Sequence, residues 1–396
     1  MNIKTSNVDK VKFNGNEVDK VKFNGAVVWE KPAAQGIYGI SWTPSTSAIY
    51  SYTRTDDAAA FSNPDPYVAD GSHPGSSPFD NIMPWKGITK ETVIERRNNT
   101  PEIMVKIPKF WYKVTISTNP SLTTLQIANY PETGFSVSPA HRARNGEQEK
   151  DYVYMSRYQG NMDGHSLTGQ NLMLSTGMTR AGCRQLCRVI DDAHDTGDGR
   201  FWMIDYDMLV TIWMLYMVEY ANADVQATIG YGCGDNSNYS LTGLTDTMPY
   251  HTGTMASARN SYDAGVQYRW IEGLWSNVYN WIDGVVGYNY RFYTFNSFAD
   301  YSDTSTTNGT YVANVRDNVK GFSANNNGFY PSTGQSAPKI DGGVYDSANN
   351  VYVVYFGGCY EQTQDSGLFY FDHSQSDSYT SPKVGYRCMY IPADAV

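Results

Sequence analysis

Charge is scarce in this 396-residue chain: Asp, Glu, Lys and Arg together make up 18% of it, and no stretch is dense in Lys and Arg. With a formal net charge of −10 the chain repels phosphate backbones, which excludes nucleic acid as a partner. Long apolar runs are missing as well. The longest, Met208 to Val218, is too short to span a bilayer and is bracketed by Asp205, Asp207 and Glu219. It reads as a buried helix, and no membrane insertion is expected. The opening MNIKTSNVDK lacks the apolar stretch of a cleaved secretion signal, so synthesis in a cytoplasm is the expectation. Cysteine is sparse: Cys183, Cys187, Cys233, Cys359 and Cys388 are odd in number and scattered. That argues against a disulfide framework and for reduced, buried thiols.

Aromatic rings are what the chain has in excess. Its 32 Tyr and 9 Trp exchange Lys and Glu for amphipathic rings that suit contact surfaces, which favours recognition. The length permits a substantial core without metal or disulfide staples.

Organisation begins with an exact repeat, VDKVKFNG, at Val8 to Gly15 and again at Val18 to Gly25. Apolar residues alternate at Val11/Phe13 and Val21/Phe23, and Asn-Gly tolerates the positive φ of a hairpin turn. The expectation is a small β-meander over residues 8 to 29, closed by Val27, Val28 and Trp29, within an N-terminal arm of residues 1–34 that packs on the body or docks to a larger assembly. Residues 35–100 are rich in Ser, Pro, Asp and Gly and read as a loop-rich β extension. Residues 101–396 form the remaining domain.

In that domain Met104 to Ser117 alternates as one strand with Pro108 at an edge or bulge, and Tyr152 to Tyr158 is a second β stretch. Cys183, Leu186, Cys187 and Ile190 recur at helical spacing after a Thr179 N-cap, so those thiols read as core. A metal site on Cys183 and Cys187 lacks further ligands. The second helix starts near Asp205 to Asp207 and runs to about Ala221, apolar nearly all round. Beyond it, short strands are expected at 290–295, 351–356, 367–371 and 384–390.

Four blocks in order carry a resemblance: MVKIPKFWYKVTI (Met104 to Ile116), the helix pair from Thr179 to Ala221, YRWIEGLWSNVYNWIDG (Tyr268 to Gly284), and the close from Tyr355 to Ile391. Together they resemble the C-type-lectin-like fold in its formylglycine-generating-enzyme branch. The matching positions are Ser276 to Trp281, then Gly357-Gly358-Cys359, then Gly385-Tyr386-Arg387. This implies an α+β fold, two helices around small twisted antiparallel sheets, with the N-terminal β-arm added. The glycines permit a tight backbone approach, Trp281 and Tyr386 supply core rings, and Arg387 is expected to hold a buried carboxylate or carbonyls.

More narrowly, the repeat arm, the KIPKFWYK strand and the GYRCMYIP ending look like phage tail adhesins, including those diversified by retroelements. That resemblance implies a virion-tail protein that recognises a host-surface receptor, protein or glycan, through the stretch between the Gly-Gly and Gly-Tyr-Arg strands. The expected ligand-binding residues are Tyr360, Gln362, Gln364, Asp365, Tyr370, Asp372, His373, Asp377 and Tyr379, a mixture suited to rigid anchoring and adaptable hydrogen bonding. It further implies docking to other tail or fiber proteins through residues 1–34, and a homotrimer, because weak single sites gain from multivalency. The alternatives are a structural tail or baseplate component of the same fold and a glycan-cleaving tail enzyme.

No catalytic residue is assigned and no enzyme activity is expected. The oxygen-dependent relatives use paired cysteines near the Gly-Gly strand, whereas Cys359 stands alone there. None of the six histidines, His73, His141, His165, His194, His251 and His373, lies within five residues of another. Asp372, His373 and Ser374 are neighbours on a strand and point to alternate faces, so they cannot relay a proton. No cofactor is expected, with structural calcium on Asp300 and Asp303 left open against an ordinary surface turn.

Overall fold

Short β-hairpins account for the VDKVKFNG repeat. The computed structural model describes residues 11–13, 16–18, 20–23, 26–30, 35–44, 51–94, 101–144, 146–160, 176–190, 200–234, 238–256, 265–314, 322–331, 349–362 and 365–393. Val11–Phe13 pairs antiparallel with Asn16–Val18, and Lys20–Phe23 with Ala26–Glu30. These are two separate two-stranded ladders where one meander was expected. The Asn-Gly dipeptides between the strands lie outside the described residues. Residues Met1–Gly36 form one compact unit and Ile37–Val396 the other.

The larger unit is mixed α and β, mostly sheet with few helices. Its first five-stranded sheet runs Ser136–Val137, Trp111–Thr118, Ser121–Ala128, Ile37–Trp42, Thr53–Asp56, and its second runs Phe201–Met203, Cys388–Tyr390, Tyr152–Ser156, Pro101–Pro108, Thr89–Ile94. The stretch expected as a single strand from Met104 is therefore two, one in each sheet. Pro108 cannot donate to a ladder, so pairing with Tyr152 ends there. Lys109 N–H then bonds to Asp151 O at 2.8 Å, Phe110 turns into the core, and the chain enters the other sheet. Residues 37 to 94 are not a separate extension: Ile37–Trp42 is a central strand of one sheet and Thr89–Ile94 an edge strand of the other.

Both expected helices are present. Helix α1, Arg180–Arg188, starts at Thr179, whose side chain accepts Gly182 N–H. Helix α2, Tyr206–Tyr220, starts at Asp205, whose carboxylate accepts Met208 N–H, and ends where Ala221 adopts a left-handed conformation at φ 49°. Nearly every α2 side chain is buried, as its all-round apolar surface requires. Its two faces are pinned by indoles: Trp85 Nε1 donates to Leu215 O at 3.1 Å, and Trp213 Nε1 donates to Leu368 O at 2.9 Å. Among the described residues one further short α-helix, Val225–Thr228, was not anticipated.

Past α2, a sheet is built on the long strand Tyr279–Tyr288, flanked by Arg291–Thr294 on one side and Val351–Phe356 on the other, with Phe371–Gln375 beyond the latter. The expected strand at 367–371 thus begins only at its last residue. The expected closing strand divides into Val384–Gly385, parallel to the start of Tyr279–Tyr288, and Cys388–Tyr390 in the second five-stranded sheet.

Buried arginines tie these pieces together. Arg387 lies between the two parts of the closing strand and donates to four carbonyls, Ser156 O, Arg157 O, Glu272 O and Gly273 O, at 2.5 to 3.2 Å. Burial pulls its pKa down to about 9, yet it remains a cation at neutral pH. Arg180 and Arg184 meet Asp303. Burial alone would raise the Asp303 carboxyl, but the Arg180 charge and the Arg184 hydrogen bond outweigh it and hold the pKa at about 2. Asp303 is thus bonded to two arginines, and Asp300 accepts the Asn308 amide, so both carboxylates have protein partners in this turn.

The expectation of reduced thiols fails at one pair. Cys187 and Cys388 form a disulfide with Cα atoms 5.8 Å apart, joining α1 to the closing strand, while Cys183, Cys233 and Cys359 stay outside it as buried thiols.

Two outcomes follow for stability. Thiol titration of the denatured, unreduced chain gives three free thiols, and Cys388→Ser destabilises by about 3 kcal/mol, since the bond closes a long loop. Arg387→Met leaves four carbonyls without their donor and costs about 3 kcal/mol or more, read as a lowered urea midpoint.

Candidate functional site

The C-terminal loops begin at Gly357 and Gly358, which sit at φ 95° and 76°. A Cβ on Gly357 would lie 2.7 Å from Leu274 O, so only glycine lets the strand turn this close to the neighbouring chain. Gly357 O accepts Ser276 N–H at 3.0 Å and the Ser366 hydroxyl at 3.1 Å. The turn that follows is held by Tyr360 N–H donating to Asn277 O and by Gln362 N–H donating to Cys359 O. The Gln362 side chain reaches back to accept Cys359 N–H at 3.3 Å.

Beneath the loops lies a layer of tyrosines. Tyr279 packs on Tyr355 and Tyr370 with ring centroids 4.5 and 5.5 Å apart, and Trp281 packs edge-on against Tyr355 and Tyr379. The hydroxyls of Tyr355 and Tyr370 donate to the Asp372 carboxylate, which also accepts Ser374 N–H at 2.8 Å. Burial raises the Asp372 pKa, and these hydrogen bonds oppose the rise. Burial likewise raises the Cys359 thiol, which makes it a poor nucleophile.

These contacts divide the expected ligand-binding residues. Tyr360, Tyr370, Asp372 and His373 are buried, so they support the loops and cannot offer themselves to a partner. His373, read as surface or ligand-contacting, is only 2% exposed: its ring lies edge-on to Phe292 and against the face of Gly287. It faces away from the Asp372 bonds, as strand alternation requires. Asp365 and Asp377 are exposed, Gln362 and Tyr379 are half-buried, and Gln364 lies outside the described residues.

Three residues belong to this rim that the sequence reading passed over. Glu361 and Lys383 form an ion pair that bridges the first loop to the last, and Tyr239, from a distant loop, packs near Tyr360. Tyr239 carried no signal in the sequence. Lys383 lay just outside the expected stretch. The exposed rim therefore presents Glu361, Asp365 and Asp377 against Lys383, an acidic surface with serine hydroxyls at Ser376 and Ser378. It suits a partner that offers cations or hydrogen-bond donors. Among the described residues no group of three His, Cys, Asp or Glu side chains is placed to hold a metal ion, and no helix is long and apolar enough to cross a membrane.

No protein-family model matches this chain, and no curated protein does. Solved structures do match. The Major Tropism Determinant P3c variant is similar at 12% identity and a TM-score of 0.33, over 96% of this chain and 78% of its own. The U1 variant is similar at 11% identity and a TM-score of 0.31, over 96% and 78%. The M1 variant is similar at 11% identity and a TM-score of 0.31, over 98% and 84%. A likeness of that degree carries no argument about this chain.

The Asp372 environment has a pH signature. A carboxyl whose native pKa is raised takes up protons more readily folded than unfolded. Its stabilising contribution is full below the unfolded value of ~3.9 and is lost as pH rises through the native one. Chemical denaturation at pH 4 and pH 7 therefore shows the Asp372→Asn variant losing less stability between the two than the parent chain does.

Proposed function

We propose that this chain is a non-enzymatic phage tail adhesin that binds a host-surface receptor through the acidic rim formed by Glu361, Gln362, Asp365, Asp377, Tyr379 and Lys383. The observation that carries the reading is the contrast within one short stretch. Its apolar and hydrogen-bonded residues build a fixed base, while its polar residues stand exposed on loops above that base. Loops on a rigid scaffold are where recognition residues collect, because side chains there change without cost to the core. The resemblance of the repeat arm, the KIPKFWYK strand and the GYRCMYIP ending to phage tail adhesins agrees with this division.

The disulfide supports it too. Cys187–Cys388 is a bond that persists in oxidising surroundings such as a virion surface and is rare in a reducing cytoplasm. In this reading residues 1–34 attach the chain to other tail proteins and three copies display the rim together. Asp372 acts as a support and not as half of a glycosidase pair, since it is buried and bonded to two tyrosine hydroxyls and the Ser374 N–H.

Labelled full-length protein should adhere to cells of the bacterium that the carrying phage infects. The triple change Glu361→Arg, Asp365→Arg and Asp377→Arg should reduce adhesion by about tenfold or more, with an unchanged melting temperature. Adhesion undisturbed by that reversal sinks the assignment of the rim and favours a structural tail component. Light scattering that shows a monomer removes the trimer. A near-copy of the 3′ coding region, differing where the copy has adenine, would establish that the loops are diversified.

A further inference from the structure

A cleft of about 520 Å³ opens elsewhere in the larger unit, between the segment from Tyr52 to Pro64 and the C-terminal end of α2. That volume falls within the ~300–1,000 Å³ typical of small-ligand sites. Its walls include the rings of Tyr52 and Phe61, both half-buried, and of buried Tyr220. Tyr52 is held in place because its hydroxyl donates to Phe322 O at 2.8 Å and accepts Phe322 N–H at 3.1 Å. Tyr220 is stacked on Tyr216 with centroids 4.9 Å apart. The exposed amides of Asn63 and Asn222 stand at the mouth.

Arg54 is the one charged side chain in this lining. Its guanidinium is oriented by two bonds, Nη1 to Asn63 Oδ1 at 2.8 Å and Nη2 to Glu219 O at 2.6 Å, while its Nε is buried and makes no hydrogen bond within the protein. Among the described residues no carboxylate forms an ion pair with it. The nearby Glu219 carboxylate is taken up by Arg269, Tyr268 and Ser77. Burial pulls the Arg54 pKa down, and the charge of the nearby Glu219 opposes that fall only in part.

We propose that this cleft binds an acidic saccharide. Its carboxylate would pair with Arg54, one face of the sugar would lie against Phe61 and Tyr52, and its hydroxyls would meet Asn63 and Asn222. The combination selects this chemistry. An oriented guanidinium recognises a carboxylate, rings cover the apolar face of a sugar, and amides bond hydroxyls. A purely apolar ligand would leave Arg54 desolvated without compensation, and a bare anion would make no use of the rings.

The test is independent of the C-terminal rim. Saturation-transfer NMR and calorimetric titration of the full chain would use D-glucuronate and N-acetylneuraminate, with D-glucose and inorganic phosphate as comparisons. The expected result is binding of at least one acidic sugar, with glucose and phosphate each weaker by about tenfold. Arg54→Gln should weaken that binding by about tenfold. Ala59→Trp, at an exposed lining position that leaves Arg54 in place, should block it without altering the melting temperature. Absence of binding by both acidic sugars, phosphate binding as tightly as they do, or binding that survives Ala59→Trp overturns the proposal.

Discussion

Arg387 places one cation among four main-chain carbonyls that come from two stretches of chain, at sequence separations of 114 to 231 residues. A buried guanidinium is costly to desolvate, and only several well-aimed acceptors offset the cost. Its fork geometry therefore dictates where the end of Tyr152–Ser156 and the turn at Glu272 and Gly273 must lie. The closing strand then has no freedom: Ile204 N–H bonds to Arg387 O, and Gly160 N–H bonds to Tyr386 O. A Cβ on Gly160 would fall 2.3 Å from the Tyr386 ring, so that contact also admits no side chain. With the strand held there, Cys388 meets Cys187, and the Cys187–Cys388 bond adds a covalent constraint to a place already determined by hydrogen bonds.

The same anchoring separates base from rim. Tyr279, Tyr355, Tyr370 and Trp281 fill the space between the long central strand and the C-terminal loops, and Asp372 is bonded from below by two of their hydroxyls. Large rings with few rotamers and satisfied hydroxyls make a stiff layer at low entropic cost. Loops above such a layer can differ in polar side chains without disturbing packing. That is the physical requirement for a surface that must follow a changing partner. The Arg54 cleft uses the same materials in another way, with rings and one incompletely matched cation held in a concave wall.

The division between legible and illegible features follows the range of the forces. Local signals were readable: the Thr179 and Asp205 caps, the all-round apolar course of α2, the glycines at 357 and 358, and an arginine on the closing strand seeking buried acceptors. Each depends on residues a few positions away, or on what a side chain must do once buried. Burial within Phe371–Gln375 was not readable. Phe371, Asp372 and His373 are buried in succession because both faces of that strand are covered, so alternation cannot say which residue meets solvent. Likewise, Pro108 signalled an interruption, yet whether it marked an edge or a change of sheet depended on Asp151 and Phe110 finding their partners.

The sequence by itself determined that the chain is rich in rings and poor in charge, has two capped helices among short strands, and ends in a Gly-Gly turn followed by an arginine-bearing strand. Tertiary structure alone decided that residues 37 to 94 thread through both five-stranded sheets and that Cys187 finds Cys388. It also decided that four of the nine expected contact residues form the base while Glu361 and Lys383 join the rim. The reason is that pairing, burial and charge contact are set by which distant segments come together. That is a property of the whole packed chain, and no spacing within one segment encodes it.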